Sequence, residues 1–426
     1  MSKKPNKALS QIGFQTSDSP ISWLMRTKLD RPNLISLAAG FTDNESLPLS
    51  GSRRLLNDLL KEESVGRVAL QYGSTAGDDA LREITAKRIQ KLDNLGGSKT
   101  TENLANRTVI THGSQQFLYI LTEILCDPGD IVLVEDPTYF VYLGIMQSRG
   151  LRGRGVAMNH DGINLEHLEQ VLESLRRSGE LKRTKILYLV SYFQNPTGKS
   201  TSLLVKKEAI DLLKKYERAA GHPIYILEDS AYRELGFTGQ SDASALSVRS
   251  ASDRIIYSGT YSKPFATGVR VGFGVLPEAL LDPFLRIKSN HDFGTSHLLQ
   301  KLVLRALDSG EYTKNLAKSQ RRYWAKANVM NDAIEDYFPD LVQYEKPKGG
   351  LNFWTVLPRS INTGLKSKFF RESLDQNVLY VPGGLCYVDD STRRKPSNEM
   401  RLSFGAASEK DICKGIKSLG NVIKRN

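Results

Sequence analysis

At 426 residues the chain is longer than one hydrophobic core usually serves, and its 40% hydrophobic and 25% charged content is ordinary for a globular protein, so two domains are expected. Its net charge of +12 comes from scattered basic pairs (206–207, 214–215, 321–322) with no run of five, which argues against nucleic-acid binding, and no segment reaches the ~18 apolar residues of a membrane span. The widely spaced Cys126, Cys386 and Cys413 show no CxxC pair and no His/Cys ligand spacing, so neither a disulfide framework nor a metal site is expected and a reducing, cytoplasmic setting fits. The first twenty residues carry lysines and serines without an apolar stretch or an arginine. They read as a flexible arm, with a mitochondrial location left open.

From about residue 107 apolar strands alternate with amphipathic helices. "TVITHGS" is a β-branched strand ending in glycine, and "QQFLYILTEILCDPGD" has helical spacing up to Asp127-Pro128-Gly129. "IVLVEDP" and "KILYLVSY" are continuous apolar runs, the second leading into "FQNPTG". A helix with Ser200 and Thr201 at its start ends at Gly221, and "PIYILED", "RIIYSG" and "VRVGFGV" follow as strands. This order predicts an α/β domain whose mainly parallel sheet is sandwiched by helices, with ligands beyond the carboxyl ends of the strands. Gly113-Ser114, Glu135-Asp136, Asn195, Asp229 and Ser258-Gly259 all fall at such ends. Downstream, "EYTKNLAKSQRRYWAKANVMNDAIEDYF" is one long helix. "LNFWTV", "NVLYVPGG" and "EMRLSFG" are strands, and a last helix closes a smaller α+β unit. The expected division is an N-terminal arm with part of the small domain at 1–50, a large domain at 51–310 and a small domain at 311–426.

Several short stretches carry chemistry, each with a plainer alternative. The pairs Gly153/Gly155 and Gly272/Gly274 lack the third glycine of a dinucleotide fingerprint, and no P-loop is present. "HGSQQ" is either an ordinary helix start capped by Ser114 or a phosphate site built on the free amides of that turn. Tyr139 is either a core tyrosine or a ring over a planar ligand. Asn195 precedes a proline at a strand end, and "NPTG" by itself is turn chemistry. In "ILEDSAY" the carboxylates cap the next segment or pair with a buried cation, and Tyr232 reaches the same space. "SGTYSKPFATGVRVGFG" combines Thr260, Ser262, Lys263 and Arg270, a group suited to an anion and to a reactive amine.

These stretches, in this order from "LISLAAGF" to "MRLSFG", resemble the class I/II aminotransferases, pyridoxal-phosphate (PLP) enzymes of fold type I. "RPNLISLAAG", "LQYGSTAG" and "SYFQNPTG" look most like the branch of 2-aminoadipate, kynurenine and aromatic aminotransferases. The resemblance implies that Lys263 forms the Schiff base with PLP and carries the proton in the exchange of amine and keto groups. It implies that Asp229 keeps the pyridine nitrogen protonated, that Asn195 and Tyr232 bond the 3-oxygen, and that Tyr139 stacks on the ring. Ser114, Gln115, Thr260, Ser262 and Arg270 are then the phosphate's partners. Arg401 in "MRLSF" holds the substrate carboxylate with its planar fork, and Gly40 lines the same site. Tyr72 matches a tyrosine that reaches the neighbouring subunit's phosphate, which implies a homodimer.

The resemblance also implies substrates: an amino acid, with 2-aminoadipate or an aromatic one favoured, and a 2-oxo acid such as 2-oxoglutarate. A PLP-dependent β-lyase uses the same groups, and a PLP-binding module without turnover is a third reading. Two stretches depart from the family pattern. Pro264 follows the lysine and biases it to an extended backbone, and Thr267-Gly268 replaces Pro-Gly. "GFTDNESLPL" is an unusual form of the substrate loop, with Pro48 late.

Overall fold

The computed structural model describes residues 8–239 and 241–426. The first seven residues of the expected flexible arm lie outside this range. Within it the arm is docked: a short helix, Gln11–Gln15, ends with the Gln15 amide donating to Ser148 O at 3.1 Å.

Continuous β-branched and aliphatic runs become buried strands because both faces of a central sheet are covered. Eight strands form it: β1 Thr108–Thr111, β2 Ile131–Asp136, β3 Arg152–Asn159, β4 Gly162–Ile163, β5 Thr184–Val190, β6 Tyr225–Asp229, β7 Ile255–Thr260 and β8 Gly272–Val275. Their order is β1-β8-β7-β6-β5-β2-β3-β4. The five strands from β7 through β3 run parallel, whereas β8 is antiparallel to both β7 and β1, and β4 to β3. The sheet is therefore mixed at both edges, and "VRVGFGV" is one of the antiparallel strands. Side chains alternate between faces: Ile186, Tyr188 and Val190 join one core, and Leu187 and Leu189 the other. Full burial of each such aliphatic side chain contributes roughly 1.5–3 kcal/mol.

The helix after "FQNPTG" spans Leu203–Ala220. Its cap is Ser202, which accepts the Val205 N–H, while Ser200 bonds the Phe193 N–H instead. Gly221 ends it in the left-handed conformation, φ +79°.

A second sheet has the order β9-β10-β12-β11, with β9 Gln343–Tyr344, β10 Asn352–Val356, β11 Val381–Pro382 and β12 Glu399–Ser403. Its core takes in Leu34, Ile35 and Leu37 from the N-terminal region, and Ile35–Ser36 pairs in parallel with Val378–Leu379. The long helix Glu311–Tyr337 touches both cores, with Tyr312 in the large one and Tyr323, Ala327 and Met330 in the small one. It also holds the odd loop after Gly40. Buried Asp43 pairs with Arg322 and Lys326, and Lys326 Nζ donates to Gly405 O at 3.1 Å. The Asp43 N–H donates to the Tyr323 hydroxyl at 3.1 Å.

β8 lies close under the helix that follows β1: a Cβ at Gly274 would fall 1.9 Å from the Phe117 ring. Gly274→Ala is therefore expected to lower stability by about 1–3 kcal/mol through overpacking. The urea midpoint should fall with the slope unchanged.

Candidate active site

The parallel strands present their carboxyl ends to one cleft. Val190 ends β5 and Asn195 follows it, Asp229 ends β6 with Ala231 and Tyr232 after it, and Thr260 ends β7 with Ser262, Lys263, Thr267 and Arg270 after it. Tyr139 follows β2, and Ser114 and Gln115 start the helix after β1. These residues line about 130 Å³ of enclosed space. Sites scattered over more than 150 positions of sequence meet here because parallel strands end on the same side.

One end of the cleft suits an anion. The helix Gly113–Leu125 points its N-terminus into it, leaving the first-turn N–H groups without helical partners. Ser114 sits inside that turn and is not its cap. The capping position is His112, whose own N–H is taken by Gln116 Oε1 at 2.8 Å. Ser114 therefore lines the cleft without spending its hydroxyl on the helix end. Arg270 Nη1 donates to Ser262 Oγ at 3.2 Å, and the Ser262 N–H donates to Thr260 Oγ1 at 3.0 Å. Arg270 itself takes the left-handed conformation, φ +50°. Gly113 has φ +73°, and a Cβ there would fall 2.7 Å from the Arg270 guanidinium. Glycine keeps that cradle open.

The other end holds an amine. Lys263 Nζ donates to Gly40 O at 2.7 Å. Burial, helped by Arg401 and Arg270, pulls the amine down to about 8. Pro264 does not extend the chain here. Residues 261–265 form a turn closed by the Phe265 N–H on Tyr261 O at 3.1 Å, so the N–H that Pro264 lacks is not missed.

Asp229, 3% exposed, lies between these ends. Burial raises its carboxyl to about 6, against hydrogen bonds from the Ala231 N–H at 3.1 Å and the Tyr188 hydroxyl at 2.9 Å. Its neighbour Glu228 points away and pairs with Lys206 at 2.9 Å, both fully buried. The "ILEDSAY" carboxylates thus divide, Glu228 meeting a buried cation and Asp229 facing the cleft.

Arg401, 1% exposed, comes from β12. Its Nη1 donates to Asn195 Oδ1 at 2.7 Å, its Nη2 donates to Ala38 O, and the Phe140 ring lies 5.4 Å from its guanidinium. Asn195 also hydrogen-bonds Tyr232. Desolvation pushes both the Tyr139 and the Tyr232 phenols up, so they are neutral hydroxyls.

Three expected positions are elsewhere. Tyr72 is 82% exposed, edge-on to Phe293 at 5.4 Å, and takes no part in this chain's cleft. Glu135 is buried under Val190 and Gln194, and Asp136 pairs with Arg393. Tyr188 is the group that sequence reasoning missed. Its signal was a phenol in the middle of a fully apolar strand, where a buried hydroxyl needs a partner.

Residues 33–419 match the family described as aminotransferase class I and II. The chain belongs to that family. It is 33% identical over 92% of both chains to an uncharacterized aminotransferase of Saccharolobus solfataricus. To the 2-aminoadipate transaminase of Thermus thermophilus it is 32% identical, over 92% of this chain and 91% of that one. The crystal structure of Pyrococcus horikoshii kynurenine aminotransferase superposes with a TM-score of 0.87 at 28% identity, over 98% of this chain and 97% of that one. Aminotransferases of this family use pyridoxal 5′-phosphate, and the donor set fits it. The cradle of Arg270, Ser262 and the helix N-terminus suits a phosphate, Lys263 suits an aldehyde, and Asp229 suits a ring nitrogen. The cofactor of this aminotransferase is pyridoxal 5′-phosphate.

A carboxyl raised from 3.8 to about 6 binds its proton more tightly in the folded state. Its contribution to stability is full below about pH 4 and is lost as pH rises through about 6. The cofactor-free Asp229→Asn protein escapes that loss. Between pH 4.5 and 8 its stability relative to wild type should improve by about 2 kcal/mol, read from urea midpoints.

Proposed function

We propose that this aminotransferase moves the amino group of 2-aminoadipate or an aromatic amino acid to a 2-oxo acid such as 2-oxoglutarate. The observation that carries the reading is the buried Lys263 amine, held near neutrality between an anion cradle and Arg401. The donor class rests on the likeness to the 2-aminoadipate and kynurenine enzymes.

Bound pyridoxal phosphate supplies a ring that takes up electrons from the substrate Cα. Ser114, Gln115, Thr260, Ser262 and Arg270 would hold its phosphate, Tyr139 would cover its ring, Asn195 and Tyr232 would bond its 3-oxygen, and Lys263 would bind its aldehyde. Asp229, its orientation fixed by Tyr188, would hold a proton on the ring nitrogen. Arg401 takes the substrate α-carboxylate, its fork already aimed by Asn195 and Ala38, and Gly40 lines that side through its backbone. A Lys263 Nζ not bonded to the aldehyde would be the base placed to move the Cα proton.

We assign residues 51–310 to a large domain and 311–426, with part of 1–50, to a small one; most of each core falls within these bounds, while Phe140, Tyr192, Phe193, Tyr232 and Leu235 of the large domain pack into the small domain's core. We further propose a homodimer in which Tyr72 reaches the neighbouring subunit's phosphate. The exposed Leu49, Val68, Leu70, Tyr72 and Phe293 support such a covered face. A cytoplasmic location agrees with three free cysteines, two of them buried. No helix among the described residues is long and apolar enough to cross a membrane.

A panel of amino donors with 2-oxoglutarate tests the reading, followed by absorbance of the bound cofactor and by product. Keto acid formed with glutamate is the expected result, fastest with 2-aminoadipate, tyrosine or kynurenine. Pyruvate and ammonia without an aminated acceptor would instead mark a lyase. Lys263→Ala should lower turnover by at least about 10³-fold, and unchanged turnover sinks the mechanism. Uptake of pyridoxal phosphate by the cofactor-free protein needs the neutral amine, so its rate should rise with pH and level off above about 8.

A further inference from the structure

A buried amide without partners lies on the same face of the small sheet as Arg401. Asn352, at the start of β10, is 1% exposed, and neither its Oδ1 nor its Nδ2 has a hydrogen-bond partner among the described residues. Buried polar groups nearly always have one, so an asparagine with both ends open implies a partner that arrives later. The register of β10 against β12 says where. Asn352 stands opposite Ser403 and Trp354 opposite Arg401, which makes Asn352 and Arg401 diagonal neighbours on one face. Diagonal Cα atoms in an antiparallel pair are roughly 7–8 Å apart, within reach of long side chains.

The obvious local partner is engaged elsewhere, since Ser403 Oγ donates to Leu351 O at 3.1 Å. Arg401 has an open group too. Its Nη1 and Nη2 are bonded, but its buried Nε lacks an acceptor. The open atoms are therefore two donors and one acceptor, arranged around the guanidinium assigned to the substrate carboxylate.

We propose that Asn352 is a substrate-binding residue: once a carboxylate is bound, its amide nitrogen donates to the carboxylate that Arg401 holds and its amide oxygen takes the Arg401 Nε proton, a bond not made without ligand. The inference rests on the aminotransferase reading above and adds a third side chain to the two, Arg401 and Asn195, that frame the carboxylate. A neutral donor suits this place. A further cation beside Arg401 would depress the Lys263 amine beyond the value that Arg401 and Arg270 already impose. The class of ligand recognised is a free α-carboxylate, so esters and amides of the same amino acids are excluded at this point.

The test uses the purified holoenzyme, the donors above and 3-phenylpropionate, a carboxylate that cannot react. Its dissociation constant is read from absorbance of the bound cofactor. Asn352→Asp is nearly isosteric, keeps an acceptor for Arg401, and sets an anion against the ligand. It should weaken 3-phenylpropionate binding by at least about tenfold and raise the donor KM in step, with kcat changed less than about threefold. A smaller loss of affinity overturns the proposal. Asn352→Leu, which removes both open atoms, should melt at or above the wild-type temperature without ligand. A clear fall in melting temperature means that the amide is bonded within the fold, and this too overturns the proposal. Wild-type conversion of donors to keto acids is measured in the same samples. Its absence would count against the aminotransferase reading itself, whereas its presence with unaffected variants counts against Asn352 alone.

Discussion

Three buried cations share one cleft with a single facing carboxylate, and this imbalance governs the site. Lys263 and Arg270 share one stretch and Arg401 comes from far along the chain, and among the described residues neither arginine has a carboxylate partner. Both are held instead by neutral oxygens: Ser262 Oγ and Thr267 O for Arg270, Asn195 Oδ1 and Ala38 O for Arg401. Neutral acceptors fix direction without cancelling charge. Burial, with the uncancelled field added to it, lowers the lysine amine, and the field leaves each arginine able to take an anion, so a ligand with a phosphate at one end and a carboxylate at the other completes the electrostatics.

The sheet makes this affordable in stability because the charges that could have quenched the cleft are paired behind it. Glu228 takes Lys206, and Asp93 takes Arg233, all fully or almost fully buried. Each pair anchors the segment between β6 and Leu235, which carries Asp229 and Tyr232. Breaking such a buried pair costs about 3–5 kcal/mol. The same segment is held from the other side by Glu234, which pairs with Arg88 and accepts the Tyr312 hydroxyl at 2.7 Å. Groups adjacent in sequence thus alternate between facing the ligand and bolting the backbone.

Most of the cleft was legible because strand-end chemistry is local. A polar residue closing an apolar run must face the sheet's end, so Asp229, Asn195 and the Lys263 stretch declared themselves. The helix starts were less legible: Ser114 has the composition of a cap, yet the capping position is His112, which makes no side-chain bond to the first turn. The mainly parallel sheet was legible but its antiparallel edges were not, since an apolar strand reads the same whether it runs parallel or antiparallel. Tyr188 and Asn352 were invisible as partners because their meaning depends on register, which joins residues 41 and 49 positions apart or more. Pro264 looked disruptive only because the turn that absorbs it closes one residue later.

The bond from Lys263 Nζ to Gly40 O joins the two halves of the molecule. Lys263 is rooted at the end of β7 in the large sheet. Gly40 belongs to the stretch that Asp43 ties to the long helix and, through Lys326, to Gly405 after β12. Whatever captures the amine must therefore release that carbonyl. The covalent state of one nitrogen and the grip between two cores are linked, so the lysine acts as a latch as well as a reagent.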